Sequence, residues 1–318
     1  MTRRNGHGNY NPNAVANNGV TPIHLAAQQG HLEIVILLMT STINPNIPDF
    51  NGKTPIHKAA SEGHLEIVQV LLNSSTDDAN IQDNLGCTPI FYAAERGHLE
   101  IVRLLMISTT NPNTPALNGE TPIHKATSEG HLKIVEIMMN SSYVDANIQD
   151  NDGQTPINVA AVLGHLEIVQ LLMTSINNPN VPDNNGKTAI HNAALKGHLD
   201  VVKLLMTSPE NANIQDNLGN TPIFFAAGYG HLEIVRYFIE SARTPIDPGI
   251  NTTSPYVLNN DGQIPIHNAA LYGHLEVVKL LMSLTNDPNI PDNFGNTPES
   301  FASQGGHHDI VELLKRAS

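Results

Sequence analysis

Histidine and cysteine can bind a metal ion or move a proton near neutral pH, so their positions indicate whether this chain could carry out chemistry. The 318 residues include a single cysteine, Cys87, and sixteen histidines, of which fourteen recur at two sequence positions. The first set follows Thr-Pro-Ile or a variant of it and comprises His24, His57, His124, His191 and His267. The second set follows a glycine and comprises His31, His64, His98, His131, His165, His198, His231, His274 and His307. Such regularity predicts a structural role, in which hydrogen bonds from the imidazoles tie helices and turns together.

The two histidines outside these sets give no sign of a catalytic or metal site. His7 and His308 lack further ligands at a spacing typical of metal sites. Cys87 is close in sequence to His98, but no neighbouring feature would stabilise a thiolate. The chain contains no Gly-rich phosphate loop and no Gly-x-Ser-x-Gly elbow. We therefore expect a protein that is not an enzyme and that uses no cofactor and no metal.

The composition narrows the classes of partner. A formal net charge of −14 argues against nucleic acid or an anionic membrane as the main partner, because both favour clustered Lys and Arg. A single cysteine excludes an internal disulfide framework and is typical of a reducing compartment. No apolar run is long enough to span a bilayer, and residues 1–13 contain no signal-peptide core. We expect a soluble cytoplasmic protein, acting in its own cell or in the cytosol of a host, with a protein as its partner.

The histidines lie within a stretch that the chain repeats nine times. Its clearest copy, TPIHKAASEGHLEIVQVLL, runs from Thr54 to Leu72. The copies start at Thr21, Thr54, Thr88, Thr121, Thr155, Thr188, Thr221, Ile264 and Thr297. Successive starts lie 33 or 34 residues apart, except for one interval of 43 residues. A period of this length predicts a solenoid of stacked supersecondary units rather than one globular core.

Each copy predicts a pair of antiparallel helices. Thr54 suits an N-cap and Pro55 suits the first helical position, and Gly63 should end this helix in the left-handed conformation. A second helix then begins near Leu65, where Glu66 lies at the positive end of the helix dipole. Asn-Gly and Asp-Gly pairs between the helices favour tight turns. The predicted unit is therefore a projecting hairpin-like turn followed by two helices.

The repeated pattern Thr-Pro-Ile-His-x-Ala-Ala-x-x-Gly-His-Leu-Glu-Ile-Val resembles that of the ankyrin repeat family, over about residues 14–316. The resemblance implies an all-α fold, an ankyrin-repeat solenoid of stacked helix-turn-helix units with projecting β-turn or hairpin loops. It also implies a curved, right-handed stack whose turn tips and first helices form a concave face that binds proteins. The sequence departs from the family where Ala16, Ala116 and Asn259 replace the Asp that opens each turn, and there we expect altered hydrogen bonding.

The repeat boundaries define the domain organisation. Residues 1–13 are rich in Asn and Gly and are predicted to be disordered, and residues 14–318 form one repeat domain. The long interval holds an insertion at residues 241–258, which we expect to be an irregular loop, either neutral or involved in binding. Ile36 in the first repeat stands where every other repeat has a polar residue, and it is either a tolerated surface residue or a contact with a partner or a second copy. Glu299 and the pair Lys315-Arg316 indicate a polar cap at the last repeat.

Residues that vary within this constant frame identify the candidate binding surface. The two positions after each Ala-Ala pair, or its variant, face the concave groove in the family. They are polar in early repeats, as at Ser61-Glu62 and Ser128-Glu129, and more apolar in repeats five to eight. The candidate partner-binding residues are Val162, Leu163, Leu195, Phe225, Tyr229, Leu271 and Tyr272. Weaker candidates are the turn residues Phe50, Leu85, Leu117, Leu218 and Phe294, because some of them would fold back onto the protein.

These observations favour a non-enzymatic scaffold that binds a partner protein on the concave face. Apolar groups of the partner would be buried against Tyr229, Tyr272 and their neighbours. The acidic remainder, including Glu62 and Glu129, would favour a basic partner by electrostatic steering. We expect the protein to be a monomer. Two alternatives stay open, an adaptor or effector acting in a host cytosol and a structural or self-assembling spacer; an enzyme comes third.

Overall fold

The computed structural model describes residues 11–41, 44–74, 76–176, 178–243, 257–285 and 287–317. Over these ranges the protein consists of short helices joined by turns, with no β-strand. The α-helices are α1 (Pro22–Gln28), α2 (Leu32–Ser41), α3 (Pro55–Glu62), α4 (Leu65–Ser74), α5 (Pro89–Arg96), α6 (Leu99–Ser108), α7 (Pro122–Ser128), α8 (Leu132–Met139), α9 (Pro156–Leu163), α10 (Leu166–Met173), α11 (Ala189–Lys196), α12 (Leu199–Leu205), α13 (Pro222–Gly228), α14 (Leu232–Arg243), α15 (Pro265–Leu271), α16 (Leu275–Met282), α17 (Pro298–Gly305) and α18 (His308–Ala317). Two 3-10 helices, Thr76–Asn80 and Pro209–Asn213, follow α4 and α12. The prediction of an all-α fold made of helix-turn-helix units is confirmed.

Two predictions concern segments that lie largely outside the described residues. These are residues 1–10 of the segment predicted to be disordered and residues 244–256 of the predicted insertion. The sequence predicts an irregular insertion from Ser241 onward, and this is wrong for its first three residues, because α14 continues to Arg243. Ser, Ala and Arg are all compatible with a helix, and the first proline of the insertion is Pro245.

The chain divides into two compact units. The first, residues 1–145, contains α1 to α8, and the second, residues 146–318, contains α9 to α18. In the first unit the first helices of successive repeats (α1, α3, α5 and α7) contact one another, and so do the second helices (α2, α4, α6 and α8). The second unit has α9, α11, α13, α15 and α17 in one layer and α10, α12, α14, α16 and α18 in the other. Each unit is therefore a two-layer stack of helix pairs.

The first helix of each repeat begins and ends where the sequence predicts. Thr54 has an extended backbone (φ −94°, ψ 168°), and Pro55 begins α3, where its missing N–H removes no helical hydrogen bond. Gly63 ends α3 at φ +86°, the left-handed region that glycine enters without steric cost. The N–H of Gly63 donates to the carbonyl of Ala59 within the last turn.

Small and branched side chains fill the space between the helices. Ala59 and Ala60 of α3 are fully buried, which allows the first helices of adjacent repeats to approach closely. In α4, Val68 and Leu71 are fully buried and Ile67 is 2% exposed. Burial of each large apolar side chain contributes about 1.5–3 kcal/mol. Packing between repeats therefore stabilises helices that are too short to be stable alone.

The first set of histidines links each first helix to the turn of the next repeat. Nδ1 of His57 accepts a hydrogen bond from the backbone N–H of Thr54 at 3.1 Å, and Nε2 donates to the carbonyl of Cys87 at 3.1 Å. His24 and His191 make the equivalent bonds in their own repeats. Because Nδ1 accepts, the proton lies on Nε2 and the ring is neutral. The predicted structural role is confirmed for His24, His57 and His191, whereas Nε2 of His267 is buried and makes no hydrogen bond to the described residues.

The second set of histidines occupies the space beside a glycine of the preceding repeat. Nε2 of His98 donates to the carbonyl of Ser61 at 2.9 Å, and the imidazole lies against Gly63. A Cβ atom added to Gly63 would lie 2.7 Å from Cε1 of His98. His64, His131, His198, His231, His274 and His307 make the same carbonyl contact in their own repeats. These glycines are therefore needed both for their positive φ and for the absence of a side chain.

Most turns are closed by an Asp at their opening position. Oδ1 of Asp49 accepts from the N–H groups of Asn51 and Lys53, both at 2.9 Å. Consecutive turns are also joined, since the N–H of Asn84 donates to the carbonyl of Asn51 at 2.9 Å. Such bonds satisfy backbone groups that project beyond the helices.

Replacement of the opening Asp has different effects in the three exceptional turns. Ala116 keeps the backbone bonds of the turn, and Oδ1 of Asn118 accepts from the N–H of Glu120 instead. Ala16 likewise keeps its backbone bonds. Asn259 accepts through Oδ1 from two backbone N–H groups, as Asp does elsewhere. The expectation of altered hydrogen bonding is therefore confirmed for the alanines and wrong for Asn259, whose amide oxygen replaces the carboxylate oxygen.

Candidate protein-binding site

Three of the seven candidate partner-binding residues form an exposed line in the second unit. Leu163 is the last residue of α9, and Tyr229 and Tyr272 directly follow α13 and α15. Their side chains are 45%, 58% and 58% exposed. All three occupy the same repeat position, at the end of a layer in which the first helices pack side by side. We call Leu163, Tyr229 and Tyr272 the exposed row.

The exposed row contains one cation that the sequence analysis did not include in the site. Lys196 occupies the same repeat position at the end of α11, between Leu163 and Tyr229 in repeat order, and its side chain is exposed. The equivalent residues of the first unit are all polar and exposed: Gln29, Glu62, Arg96 and Glu129. The apolar character of this position is therefore specific to the second unit. A partner bound along the row would contact one apolar, one cationic and two aromatic side chains.

Three further candidates are less exposed, because their side chains are half-buried beneath the next repeat. Val162, Leu195 and Leu271 precede the exposed position by one residue, which turns them about 100° around the helix. Their backbone carbonyls accept hydrogen bonds from second-set histidines of the following repeats at 3.0–3.1 Å. Gly228 takes this position in α13, because Asn268 fills the space that a side chain there would need.

Phe225 packs on the protein itself. Its ring lies edge-on to His191 with centroids 6.0 Å apart, and Nζ of Lys187 lies 4.9 Å from the centroid of the same ring. The side chain is half-buried. Tyr92 has the corresponding contacts in the first unit, with His57 and a lysine. Phe225 thus covers a buried histidine and offers a partner only part of its surface.

The weaker candidates at the turn tips are well exposed. Between 60% and 72% of each side chain is accessible at Phe50, Leu85, Leu117, Leu218 and Phe294. The expectation that some of these residues fold back onto the protein is wrong. Each tip is held by backbone bonds to its neighbour, as between the N–H of Leu117 and the carbonyl of Leu85 at 2.8 Å.

The environment of Cys87 is that of a structural thiol. The residue is 5% exposed and packs with Phe91, Tyr92 and Ala116. The hydroxyl of Tyr92 donates to Oδ2 of Asp83 at 2.6 Å. Burial, with the charge of Asp83, raises the pKa of the Cys87 thiol to about 11. A thiol with this pKa carries almost no thiolate near neutral pH, so it is a poor nucleophile.

Comparison with known protein families accounts for the whole repeat pattern. Seven overlapping segments match the family described as ankyrin repeats, at residues 5–83, 39–116, 75–150, 107–183, 139–216, 175–252 and 246–318. The chain belongs to the ankyrin-repeat family. A search of curated proteins found no match.

Ankyrin repeats are protein–protein interaction modules, and the family is typically non-enzymatic. In the part of this ankyrin-repeat protein that the structure describes, no group of three His, Cys, Asp or Glu residues is arranged to hold a metal ion. None of the described helices combines the length and the apolar character needed to cross a membrane. The resemblance seen in the sequence is confirmed as family membership.

Proposed function

We propose that this protein is a non-enzymatic scaffold that binds a partner protein through the exposed row of its second unit, on the face that the family resemblance predicts to be concave. The observation that carries the proposal is the 58% exposure of both Tyr229 and Tyr272. Tyrosine is enriched among residues that dominate binding energy, because it buries a large area and loses little side-chain entropy.

The setting of the row favours binding on physical grounds. Tyr229 stacks on His231, with ring planes 12° apart, so its orientation is partly fixed before a partner arrives. His231 is itself held through Nε2 to the carbonyl of Leu195 at 3.0 Å. Less conformational freedom then has to be lost on binding. Half-buried Leu195 and Leu271 extend the apolar surface at the base of the row.

The charge of the chain bears on the nature of the partner. A net charge of −14 supports a basic partner, which would be attracted before contact. We propose that a monomer of the protein binds it in the reducing environment of a cytoplasm, its own or that of a host. An association rate that falls steeply with added salt would support the basic partner, and a rate that does not change would contradict it.

Affinity capture from a lysate of the source cell, or of its host, tests the proposed site. The wild type is compared with the triple variant Leu163→Ser, Tyr229→Ser, Tyr272→Ser and with the control Val15→Gln. Val15 is 58% exposed, and Gln82, Gln149 and Gln215 occupy its position in other repeats. The proposal expects one partner to be held by wild type and control and lost by the triple variant. Equal capture by all three proteins would show that the row is not the site.

A second candidate function, a self-assembling spacer, is favoured by the first repeat. Ile34 and Ile36 are each 46% exposed and Leu37 is 60% exposed, all on α2. In the following repeat the counterpart of Ile34, Ile67, is 2% exposed. Sedimentation velocity separates the two functions: mass that rises with concentration and returns to the monomer in an Ile34→Ser, Leu37→Ser variant would support the spacer.

A further inference from the structure

The second helices of repeats two to four, α4, α6 and α8, border two adjoining cavities. One, of about 720 Å³, lies between α4 and α6 and has Leu65, Val70 and Leu104 in its walls. The other, of about 590 Å³, is lined by Met106, Ile137 and Tyr143, among others. Arg103 and Ile107 belong to both cavities. The two volumes therefore form one surface feature, which we call the outer groove.

Ile107 makes the outer groove specific to this part of the chain. It is 83% exposed, more than any of the other large apolar side chains that the structure describes as exposed. The other eight repeats have polar residues at this position, among them Asn73, Asn140 and Thr174. Tyr143, on the far side of the second cavity, is 77% exposed. Two large, exposed, neighbouring apolar groups bordered by polar residues are typical of a docking surface.

Hydrogen bonds fix the walls of the outer groove before any ligand is present. Oδ1 of Asn80 accepts from the hydroxyl of Thr109 at 2.8 Å and from the N–H of Thr110 at 2.9 Å. Nδ2 of Asn113 donates to the carbonyl of Tyr143 at 2.6 Å. Thr109, Thr110 and Tyr143 all line the second cavity. A bound segment would therefore order few groups of this protein, which lowers the entropic cost of binding.

The two cavities differ in charge. The first has the carboxylates of Glu66 and Glu100 in its walls besides Arg103. Among the described residues that line the second cavity, Arg103 alone is charged, beside the hydroxyls of Thr110, Ser141 and Tyr143. Nε of Arg103 lies 3.5 Å from Oε2 of Glu100, and both side chains are more than half exposed. An occupant that carries a cation over the first cavity and a carboxylate over the second would match this distribution.

We propose that the outer groove is a docking site for an amphipathic helix of another protein. The helix places apolar side chains on both sides of Ile107, a Lys or Arg beside Glu66 and Glu100, and an Asp or Glu beside Arg103 and the hydroxyl of Tyr143. A helix with apolar residues three and four positions apart presents such a stripe to a groove between helices. This site is separate from the exposed row and does not depend on it.

A synthetic peptide tests the proposal with the full chain. The probe is a fluorescein-labelled helix of Ala, Leu, Lys and Glu, with one leucine stripe, lysines in one terminal turn and glutamates in the other; a second peptide has Gln in place of Glu. Fluorescence anisotropy measures the affinity of both peptides for the wild type, for Ile107→Asn, for Arg103→Gln and for the control Val15→Gln. Asn73 and Gln69 stand at the two substituted groove positions in the preceding repeat, so the variants are compatible with the fold.

The proposal expects Ile107→Asn to weaken binding by at least about tenfold and Val15→Gln to leave it nearly unchanged. It also expects the wild type to bind the Glu-containing peptide better than the Gln-containing peptide, and this preference to disappear in Arg103→Gln. No saturable binding up to about 1 mM peptide, an equal loss of affinity in the Ile107 and Val15 variants, or a preference for the Glu-containing peptide that remains in Arg103→Gln would each overturn it.

Discussion

Nε2 of His57 donates to the carbonyl oxygen of Cys87 at 3.1 Å, which joins one repeat to the turn of the next. Nδ1 of the same ring accepts from the backbone N–H of Thr54, so a second ring proton would face a donor instead of an acceptor. Burial, opposed in part by the charge of Asp83, lowers the pKa of His57 to about 4. The same arrangement lowers the pKa of His191 to about 4.

Acid should therefore destabilise the protein in a defined pH window. In the unfolded chain these histidines take up protons near pH 6.5, whereas in the folded protein they stay neutral to about pH 4. The unfolded state binds more protons between these values, so the free energy of unfolding falls as the pH falls from 6.5 to 4, by about 3 kcal/mol for each of the two sites. Urea denaturation between pH 4 and pH 8 measures this change.

The double variant His57→Asn, His191→Asn provides the control for the acid prediction. Asn158 occupies the same position in the fifth repeat and donates through Nδ2 to the carbonyl of Val181 at 3.2 Å, so Asn is compatible with the site. The variant should be less stable at pH 8 and should lose much less stability on acidification. An unchanged pH dependence would show that other groups cause the acid effect.

Substituting two glycines by alanine distinguishes the cost of backbone strain from the cost of displacing a neighbouring histidine. Gly63 (φ +86°) has His98 against it, whereas Gly306 (φ +77°) has nothing within 4 Å of the position of an added Cβ. Gly306→Ala should lower the free energy of unfolding by about 1–2 kcal/mol, because alanine is strained in the left-handed conformation and meets no other obstacle there. Gly63→Ala should cost more, because the imidazole of His98 must also move. Thermal denaturation of both variants measures the difference, and equal losses would contradict the role given to His98.

Cys87 should react only when the protein unfolds. Its thiol is buried and has a pKa of about 11, so the thiolate fraction at pH 8 is about one in a thousand. Modification by a disulfide reagent at pH 8 should be at least about a hundred times slower in the native protein than in urea. Comparable rates in the two conditions would show that the pocket formed with Phe91 and Tyr92 opens readily.

The sequence predicts the frame of this protein better than its binding surface. The positions of Thr54, Pro55 and Gly63 follow from local backbone chemistry, which one repeat is enough to reveal. The roles of the histidines follow from their recurrence, since a residue that returns every repeat serves the contact between repeats. These features are local or periodic, and both kinds of information can be read from the chain.

The exposure of individual side chains in the candidate site could not be predicted from the sequence, because it depends on contacts with other repeats. Leu271 and Tyr272 are adjacent, yet only Tyr272 is well exposed, because the next repeat covers the side of the helix that Leu271 occupies. Phe225 is part-covered because it packs on a histidine 34 residues earlier. The outer groove lies on second helices, whereas the sequence prediction rested on the positions after each Ala-Ala pair and on the turns. The signal that indicates the groove is Ile107, the one apolar residue at its repeat position.

The most direct test of the central claim is the dissociation constant of the captured partner, measured by biolayer interferometry for the wild type, Tyr229→Ala, Tyr272→Ala and the control Val15→Gln. Both tyrosines are more than half exposed, so their replacement should leave the fold intact, as circular dichroism would verify. We predict that each tyrosine variant binds at least about tenfold more weakly and that the control is unchanged. Equal affinity of all four proteins would contradict the assignment of the exposed row as the binding site.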